Sequence, residues 1–499
     1  MCSAALARPV AILIRIILSC GRWPLCWKVH WVFPLFKKKT KSDPANYRGI
    51  HLTSQASKVV ERVLGAFFQP FLEATSAYGP NQFAYMKRRG AKDALALNVL
   101  SWLTMINSGL RVGLYCSDVS GAFDRVSADR LLLKLKAKGV HDQLLKVIGS
   151  WLGQRVSLVV VDGFFSSPSP LTNSVFQGTV WGPPLWNCYY EDSRRAVNSK
   201  GFTETTFADD LNCYKAFDMD TAAADIFTDM QSCQSSLHEW GRANHVCFDP
   251  GKESMHIIHN RSAVGDDFKL LGVTFDTRLV MDAAIYEIAA QAHQRLRTLS
   301  RGRRFFSVAV MVRLYKSQVL SYIEFATPAI YHSQQFYLQV LDNIQNRFLQ
   351  EVDLSISEAF LVHNLAPLST RRDIAMLGLI HRVVLGIAPA QFNQFFSPSR
   401  RLVFPRSFRR PVLRHNRQLH DPMDGTHSNA MQRSCLALIY PYNLLPQCAV
   451  DLESVSSFQR HLQLAVKQAC RSGIINWEAL FTTGAKSLSV TSFHTLFSN

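Results

Sequence analysis

The chain has 499 residues, with 55 Lys and Arg against 37 Asp and Glu, a formal charge of +18. Hydrophobic residues make up 47% and charged residues 18%, which excludes a disordered chain, because disorder needs low hydrophobicity and high charge. The length accommodates roughly two to four domains, and a basic excess on a globular chain points to an anionic partner, either nucleic acid or a membrane surface.

In chain order, the longest apolar run covers 10–20 and contains Arg15. A spanning helix needs ~20 apolar residues. The preceding stretch carries only Arg8, and Gly21-Arg22-Trp23-Pro24 is no small-residue cleavage site. The run therefore reads as an amphipathic or buried helix, in a chain that is neither secreted nor transmembrane. Trp23, Trp27 and Trp31 recur every four residues and read as one buried helical face, ahead of the basic run Lys37-Lys38-Lys39. Helices are expected over 57–72, with Val59, Val60, Val63, Leu64, Phe67, Phe68 and Phe71 on a broad apolar face, and over 91–106.

The pattern then turns to strands. The run 112–116 reads as a buried strand leading to Asp118, and 156–161, Asp162-Gly163 and 164–165 read as a hairpin. Two short runs, 203–208 and 211–214, flank Asp209-Asp210, and a helix follows over 221–240. Further strands are expected at 245–248, 256–258 and 269–273, and strands interleaved with helices give an α+β or α/β layer. From about 282 onward the periodicity is helical, at 283–299, 308–322, 336–349, 374–384 and 456–470. Between these, 400–417 holds Arg400, Arg401, Arg406, Arg409, Arg410, Arg414 and Arg417 with no acid, and reads as a loop or an irregular arm that would suit an anionic partner, with a solvated linker as the plain alternative. Eleven scattered cysteines without a CxxC pair indicate buried thiols in a reduced compartment, with no disulfide partner and no zinc site.

Three carboxylates are candidates for chemistry. Asp118 follows a buried strand, and Asp209 and Asp210 sit at a hairpin turn, where a sheet holds side chains rigidly. Such carboxylates, brought together, bind divalent metal, and two Mg²⁺ ions ~3.5–4 Å apart can activate a 3′ hydroxyl and stabilise a leaving pyrophosphate. Mg²⁺ needs only one or two carboxylates besides phosphates and water. The plain alternative is an Asp pair that bonds its own turn backbone. The order of features favours chemistry: a basic segment, Asp118, Gln177-Gly178, Asp209-Asp210, then Lys252 in Asp249-Pro250-Gly251-Lys252.

These segments resemble the reverse transcriptase of non-LTR (LINE-type) retrotransposons. The matching residues are Phe33-Pro34-Leu35-Phe36-Lys37-Lys38, Asn46-Tyr47-Arg48-Gly49-Ile50-His51-Leu52-Thr53-Ser54, Lys58, Glu61-Arg62, and Asn81-Gln82-Phe83-Ala84-Tyr85. They continue with Asp118-Val119-Ser120-Gly121-Ala122-Phe123-Asp124, Gln177-Gly178-Thr179, Gly182-Pro183, Leu185, Phe207-Ala208-Asp209-Asp210, Lys252 and Leu271-Gly272-Val273. Order and spacing cover about 20–280, with weaker similarity in the helical tail.

The resemblance implies an α+β right-hand polymerase: an N-terminal helical extension (1–30), fingers and palm (31–280), a helical thumb (281–350) and a basic helical C-terminal region (351–499). It implies an RNA-directed DNA polymerase using two Mg²⁺ ions, with Mn²⁺ as a substitute, and dNTPs, an RNA template and a DNA primer or target as partners, inside the cell, in nucleus or cytoplasm. Asp118 and Asp209 would be the principal metal ligands, with Asp210 beside them. Phe123 would sit under the incoming sugar and clash with a 2′-OH; alternatively it is a core aromatic. Arg48 with Lys37 or Lys38 would contact the triphosphate, unless these form only a solvated basic face. Gln177 would touch nucleotide or template, Gly178 would let backbone approach closely, and Lys252 would give a proton to pyrophosphate unless it is a plain turn lysine. Leu271-Gly272-Val273 would belong to the primer-gripping hairpin, and Asp124 would cap the following helix.

Three positions depart from the family pattern: Gly49 where Pro is usual, Asp249 where Asn is usual, and Trp181 in place of a smaller residue. No endonuclease or RNase H domain is read in the chain, so a truncated copy is expected. An inactive nucleic-acid-binding remnant, and a host-domesticated or intron-type enzyme, are the alternative readings.

Overall fold

A computed structural model describes residues 2–37, 40–172, 175–249, 251–399, 415–423, 428–484 and 488–497. Lys38 and all of the arginine-rich arm before residue 415 lie outside the described residues. Two compact units interleave along the chain. The first comprises Met1–Met86, Leu114–Lys215 and Ala224–Met255, and the second Lys87–Gly113, Ala216–Ala223 and His256–Asn499. The strands are β1 Val29–Phe36, β2 Tyr47–Leu52, β3 Leu110–Ser117, β4 Arg155–Val161, β5 Phe164–Phe165, β6 Ser169–Leu171, β7 Thr203–Phe207, β8 Asp210–Asp218, β9 Ser254–Ile258, β10 Phe268–Leu270 and β11 Val273–Phe275. Together with the helices they make an α+β chain.

The first unit opens with a helix, Cys2–Cys20, longer than the apolar run suggested. The tryptophan spacing that follows is no helical face. Trp27 ends a 3₁₀ turn, Leu25–Trp27, and Trp31 lies in β1 with 47% exposure; of the three, Trp23 is the one that is buried. The run Trp31-Val32-Phe33-Pro34 is β-prone, and Pro34 would break a helix. The sheet order is β2-β1-β4-β5, with β6 on β4. Trp31 pairs with Leu52 and Phe33 with Ile50, so these four share one face. All four are well exposed, and Phe165 packs edge-on against Trp31 at 5.3 Å. Asp162 and Gly163, at φ 50° and 84°, close the β4–β5 hairpin as expected of Asp-Gly.

The helix expected over 57–72 spans Gln55–Ala74 and starts at Ser54, whose side chain accepts the Ser57 N–H. Its apolar face is narrower than the composition suggested: Val60, Leu64, Phe68 and Leu72 are buried, while Val59, Val63, Phe67 and Phe71 are exposed. The stretch after Asp118, read as strands and turns, also holds the helices Ala128–Ala137, Asp142–Leu152 and Gly182–Tyr190. Ser127, not Asp124, caps the first of these by accepting the Arg130 N–H; Asp124 lies in the 3₁₀ turn Ala122–Arg125. A second sheet, ordered β7-β8-β3-β9, carries the acidic residues.

The second unit is mostly helical, with Asp282–Ser300, Gln335–Glu351, Leu368–Val384 and Val455–Arg471 as its longer helices after the β10–β11 hairpin. The periodicity over 308–322 is carried by Val308–Tyr315 and Ser321–Phe325, joined by a π turn. Leu271-Gly272, at φ 48° and 85°, form the turn between β10 and β11 rather than part of one strand. Arg372 grips Asp342 with two bonds of 2.7 and 3.0 Å and pins two of these helices together. Among the described residues, no helix is long and apolar enough to cross a membrane.

Candidate active site

Strands β7 and β8 are antiparallel and close on the pair Phe207–Asp210, leaving Ala208-Asp209 as a two-residue turn. Ala208 has φ 60°, a left-handed conformation that costs a residue with a Cβ about 1 kcal/mol. Side chains hold it there. The Ala208 N–H donates to Gln82 Oε1 at 2.9 Å. The Ala208 carbonyl accepts from Gln82 Nε2 at 3.3 Å and from Trp186 Nε1 at 3.0 Å. Segment 81–84 runs beside β7, with the Phe83 N–H on the Thr206 carbonyl and the Thr206 N–H on that of Asn81, at 2.9 and 3.0 Å.

Asp118 directly follows β3, and Ser117 Oγ donates to the Leu211 carbonyl at 3.1 Å, tying its strand to β8 next to Asp210. The Asp249 N–H donates to the Asp118 carbonyl and the Ser120 N–H to that of Cys247, each at 2.9 Å. This pairing delivers the following turn, and the Lys252 ammonium sits on Asp118 Oδ2, 3.7 Å from Asp249 Oδ2. Glu253 anchors the turn from behind. It accepts the Tyr115 hydroxyl at 2.7 Å and the Gln234 amide at 2.7 Å, with His238 Nε2 at 2.8 Å.

The carboxylates feel one another. Burial pushes Asp209 above the usual carboxylate range, and Asp118 adds to this, while Lys252 and Arg48 pull it back. Burial, then Asp209, then Asp118 push Asp210 up to about 6. Arg48, exposed on β2, is therefore one of the cations acting on Asp209. The hydrogen bond to Asp118 raises the Lys252 ammonium above its ordinary value. Tyr190, fully buried, feels all three acids, and its hydroxyl has no partner among the described residues.

Three acceptor-only carboxyl groups with a lysine ammonium standing in as the cation suit a hard, oxygen-seeking metal such as Mg²⁺. Among the described residues, no group of three or more His, Cys, Asp or Glu side chains is placed to hold a metal ion. Mg²⁺ needs only one or two protein carboxylates and takes the rest of its shell from phosphate and water.

Phe123 is half-buried and stacks on Trp186 at 5.9 Å and 21°. Gly178 has φ 78°, and a Cβ there would stand 2.5 Å from the His51 carbonyl oxygen, so the Gln177-Gly178 turn lies hard against β2, the strand of Arg48. Fully buried Glu61 fixes the residues that follow. Its Oε2 accepts the N–H groups of Val180 at 2.6 Å and Trp181 at 3.3 Å, and its Oε1 accepts Ser57 Oγ at 2.9 Å and Trp151 Nε1 at 3.2 Å. Lys37 is exposed at the end of β1, and no hydrogen bond or ion pair among the described residues joins its ammonium to the carboxylates.

Each departure has a structural seat. Gly49 lies in paired β2, and a Cβ there would meet Val32 Cγ1 at 2.9 Å, so it makes room rather than a hinge. Asp249 Oδ1 accepts the Gly251 N–H at 3.2 Å and shapes the lysine turn. Trp181 is buried between Trp23, Phe68 and Trp151, at ring separations of 5.1, 5.5 and 5.6 Å. Sequence reading gave Glu61 and Gln82 only as motif positions, and gave Trp186 and Glu253 no role. The partners that tie them to the site lie elsewhere in the chain: Val180 and Trp181 for Glu61, Ala208 for Gln82 and Trp186, and Tyr115 for Glu253.

Residues 36–275 match the family described as "Reverse transcriptase (RNA-dependent DNA polymerase)". Similar curated proteins include two from Drosophila melanogaster. The RNA-directed DNA polymerase from mobile element jockey is 26% identical over 351 residues, covering 66% of this chain and 37% of that protein. The probable RNA-directed DNA polymerase from transposon X-element is 25% identical over 332 residues, covering 62% and 36%. This chain thus spans little more than a third of the length of either. Among solved structures, a telomerase from Candida tropicalis in complex with the TWJ fragment of telomeric RNA aligns over 72% of this chain and 66% of its own, at 10% identity and a TM-score of 0.38.

Proposed function

Residues 36–275 belong to the reverse transcriptase family, and from that premise we propose that the chain is an RNA-directed DNA polymerase of a non-LTR retrotransposon, adding dNTPs to a primer 3′ hydroxyl. The observation that carries this reading is the electrostatic coupling of Asp209 and Asp210, at the β7–β8 hairpin, to Asp118 at the end of β3, with the Lys252 ammonium on Asp118. Asp118 and Asp209, with Asp210 beside them, would hold Mg²⁺, or Mn²⁺ in its place. When bound, the ions supply activation of the 3′ hydroxyl and charge stabilisation for the leaving pyrophosphate.

The chain's own groups do the rest. Arg48 offers a guanidinium fork to the triphosphate, with Lys37 or Lys38 as a point charge. Lys252 keeps its proton at Nζ, as its raised value favours, and delivers it to pyrophosphate. Phe123 closes the space where a 2′-OH would sit and so selects deoxynucleotides. Gln177 touches nucleotide or template, and Gly178 allows that turn its close approach. RNA template and DNA primer or target are the partners, with the stretch 400–417 contributing charge, in an intracellular setting. Residues 31–280 serve as fingers and palm, 281–350 as thumb, with helical regions before (1–30) and after (351–499).

Of the features that prompted the inactive alternative, the expected truncation with Gly49 and Asp249, the two residues are both accommodated, and catalysis is the preferred reading. The test is primer extension on an RNA template with dNTPs and Mg²⁺. The purified chain is expected to extend the primer, and Asp209→Ala with Asp210→Ala to abolish extension. No extension by the parent, or unchanged extension by the double variant, overturns the reading.

A further inference from the structure

Trp186 touches both halves of the site. Its ring lies nearly parallel to Phe123, at 5.9 Å and 21°, and its indole N–H donates to the Ala208 carbonyl at 3.0 Å. Phe123 has little backbone support of its own. It sits in a four-residue 3₁₀ turn just after Gly121, which is left-handed at φ 64°. Among the described residues, its long-range backbone bond is the Val175 N–H on its carbonyl, at 2.9 Å. Its half-exposed ring lies against the face of Trp186. That face does not yield: the indole is 0% exposed and stacks on Tyr190 at 5.0 Å and 20°. Ala208 in turn holds its left-handed conformation partly through the indole N–H.

We propose that Trp186 is a positioning residue that sets sugar discrimination through Phe123 and sets the reaction rate through the Ala208-Asp209 turn. This rests on Phe123 being the sugar-facing ring. The plain alternative is a core filler, whose loss would lower the folded fraction but leave the deoxy-to-ribo preference untouched, since that ratio is taken within one sample.

The experiment uses the full chain on an RNA template with a dideoxy-terminated primer, where no bond can form, and compares binding of dGTP and GTP opposite cytosine. Single-turnover incorporation on an extendable primer gives the rate. Phe123→Val is expected to cut the deoxy-to-ribo affinity ratio roughly tenfold, and Trp186→Leu, which removes the stack, about three- to tenfold. Trp186→Phe keeps a ring face and loses the N–H, so it should hold the ratio within about twofold while the rate falls about tenfold. Trp186→Met, which fills more of the space, replaces the Leu variant if that fails to fold. An unchanged ratio in the Leu or Met variant, with Phe123→Val responding, overturns the coupling and leaves the sugar role of Phe123 standing. An unchanged rate in Trp186→Phe overturns the hairpin half. An unchanged ratio in Phe123→Val overturns the sugar role itself, and the coupling with it.

Discussion

Gln82 and Ala208 form a closed amide pair: Gln82 Oε1 accepts the Ala208 N–H at 2.9 Å while its Nε2 donates to the Ala208 carbonyl at 3.3 Å. One side chain thus serves both backbone groups of the residue preceding Asp209. Gln82→Met would leave two buried N–H groups, those of Ala208 and Ala84, without this acceptor, at a cost of about 2 kcal/mol or more. Urea unfolding should show that loss. Primer extension per folded molecule should drop by about tenfold or more, because Asp209 is no longer aimed. A folded Gln82→Met protein working at the parent rate would separate this clamp from the chemistry.

Glu61 offers two oxygens to four donors, Ser57 Oγ, Trp151 Nε1 and the N–H groups of Val180 and Trp181. A carboxylate side chain offers acceptor lone pairs to all four. Glu61→Gln turns an amide NH₂ toward two of them and should destabilise the chain by about 2–3 kcal/mol. Nucleotide affinity should weaken too, since the Gln177-Gly178 turn is held through Val180. Denaturant titration and nucleotide binding measure the two effects, and an unchanged midpoint would contradict the geometry.

Asp210 gives a pH signature. Its carboxyl is pushed from 3.8 to about 6, first by burial and then by Asp209 and Asp118. Within that window the folded chain holds a proton that the unfolded chain has released. Its stabilising contribution is therefore full in acid and lost as pH rises through about 6. His30, held down to about 3 by burial, Arg155 and His51, acts oppositely and loses its contribution as pH falls below its ordinary 6.5. Asp210→Asn removes only the first effect. Without metal, the variant and parent should melt alike near about pH 4, and the variant should be more stable by about 1 kcal/mol at about pH 7.5, with its activity lost. Equal melting at both pH values would mean the carboxylates are not crowded.

Lys252→Ala should slow single-turnover incorporation by about 10²–10³-fold with little change in RNA binding, the pattern for a lost proton donor. The same substitution frees Asp118 of its cation, so Asp209 and Asp210 should titrate at higher pH than in the parent. Carboxylate titration followed by NMR would detect this. A parent-like rate would return Lys252 to the role of a turn lysine.

The parts of the site legible in the sequence are those whose structure is local. An Asp pair between two β-prone runs makes a hairpin, and a buried strand delivers Asp118 at its end. The tryptophan spacing misled because a period-of-four argument assumes one conformation across the window, whereas a 3₁₀ turn there hands over to a strand. The helices Ala128–Ala137 and Asp142–Leu152 were readable in principle from Leu131 with Leu135 and Val147 with Trp151, four apart. Gln82 and Glu61 were not, because the partners that join them to the site, Ala208 and Trp181, stand 126 and 120 residues away and no local pattern announces them.

The sheet face formed by Trp31, Phe33, Ile50 and Leu52, with Phe165 at its edge, also governs how the free chain behaves in a tube. Apolar side chains this exposed and contiguous bind hydrophobic dyes and draw molecules together as concentration rises. Light scattering should therefore grow with concentration in dilute buffer, and a polar substitution at Phe33 should suppress it while leaving the melting temperature nearly unchanged. Solubility, more than fold stability, then sets the conditions under which this protein can be handled.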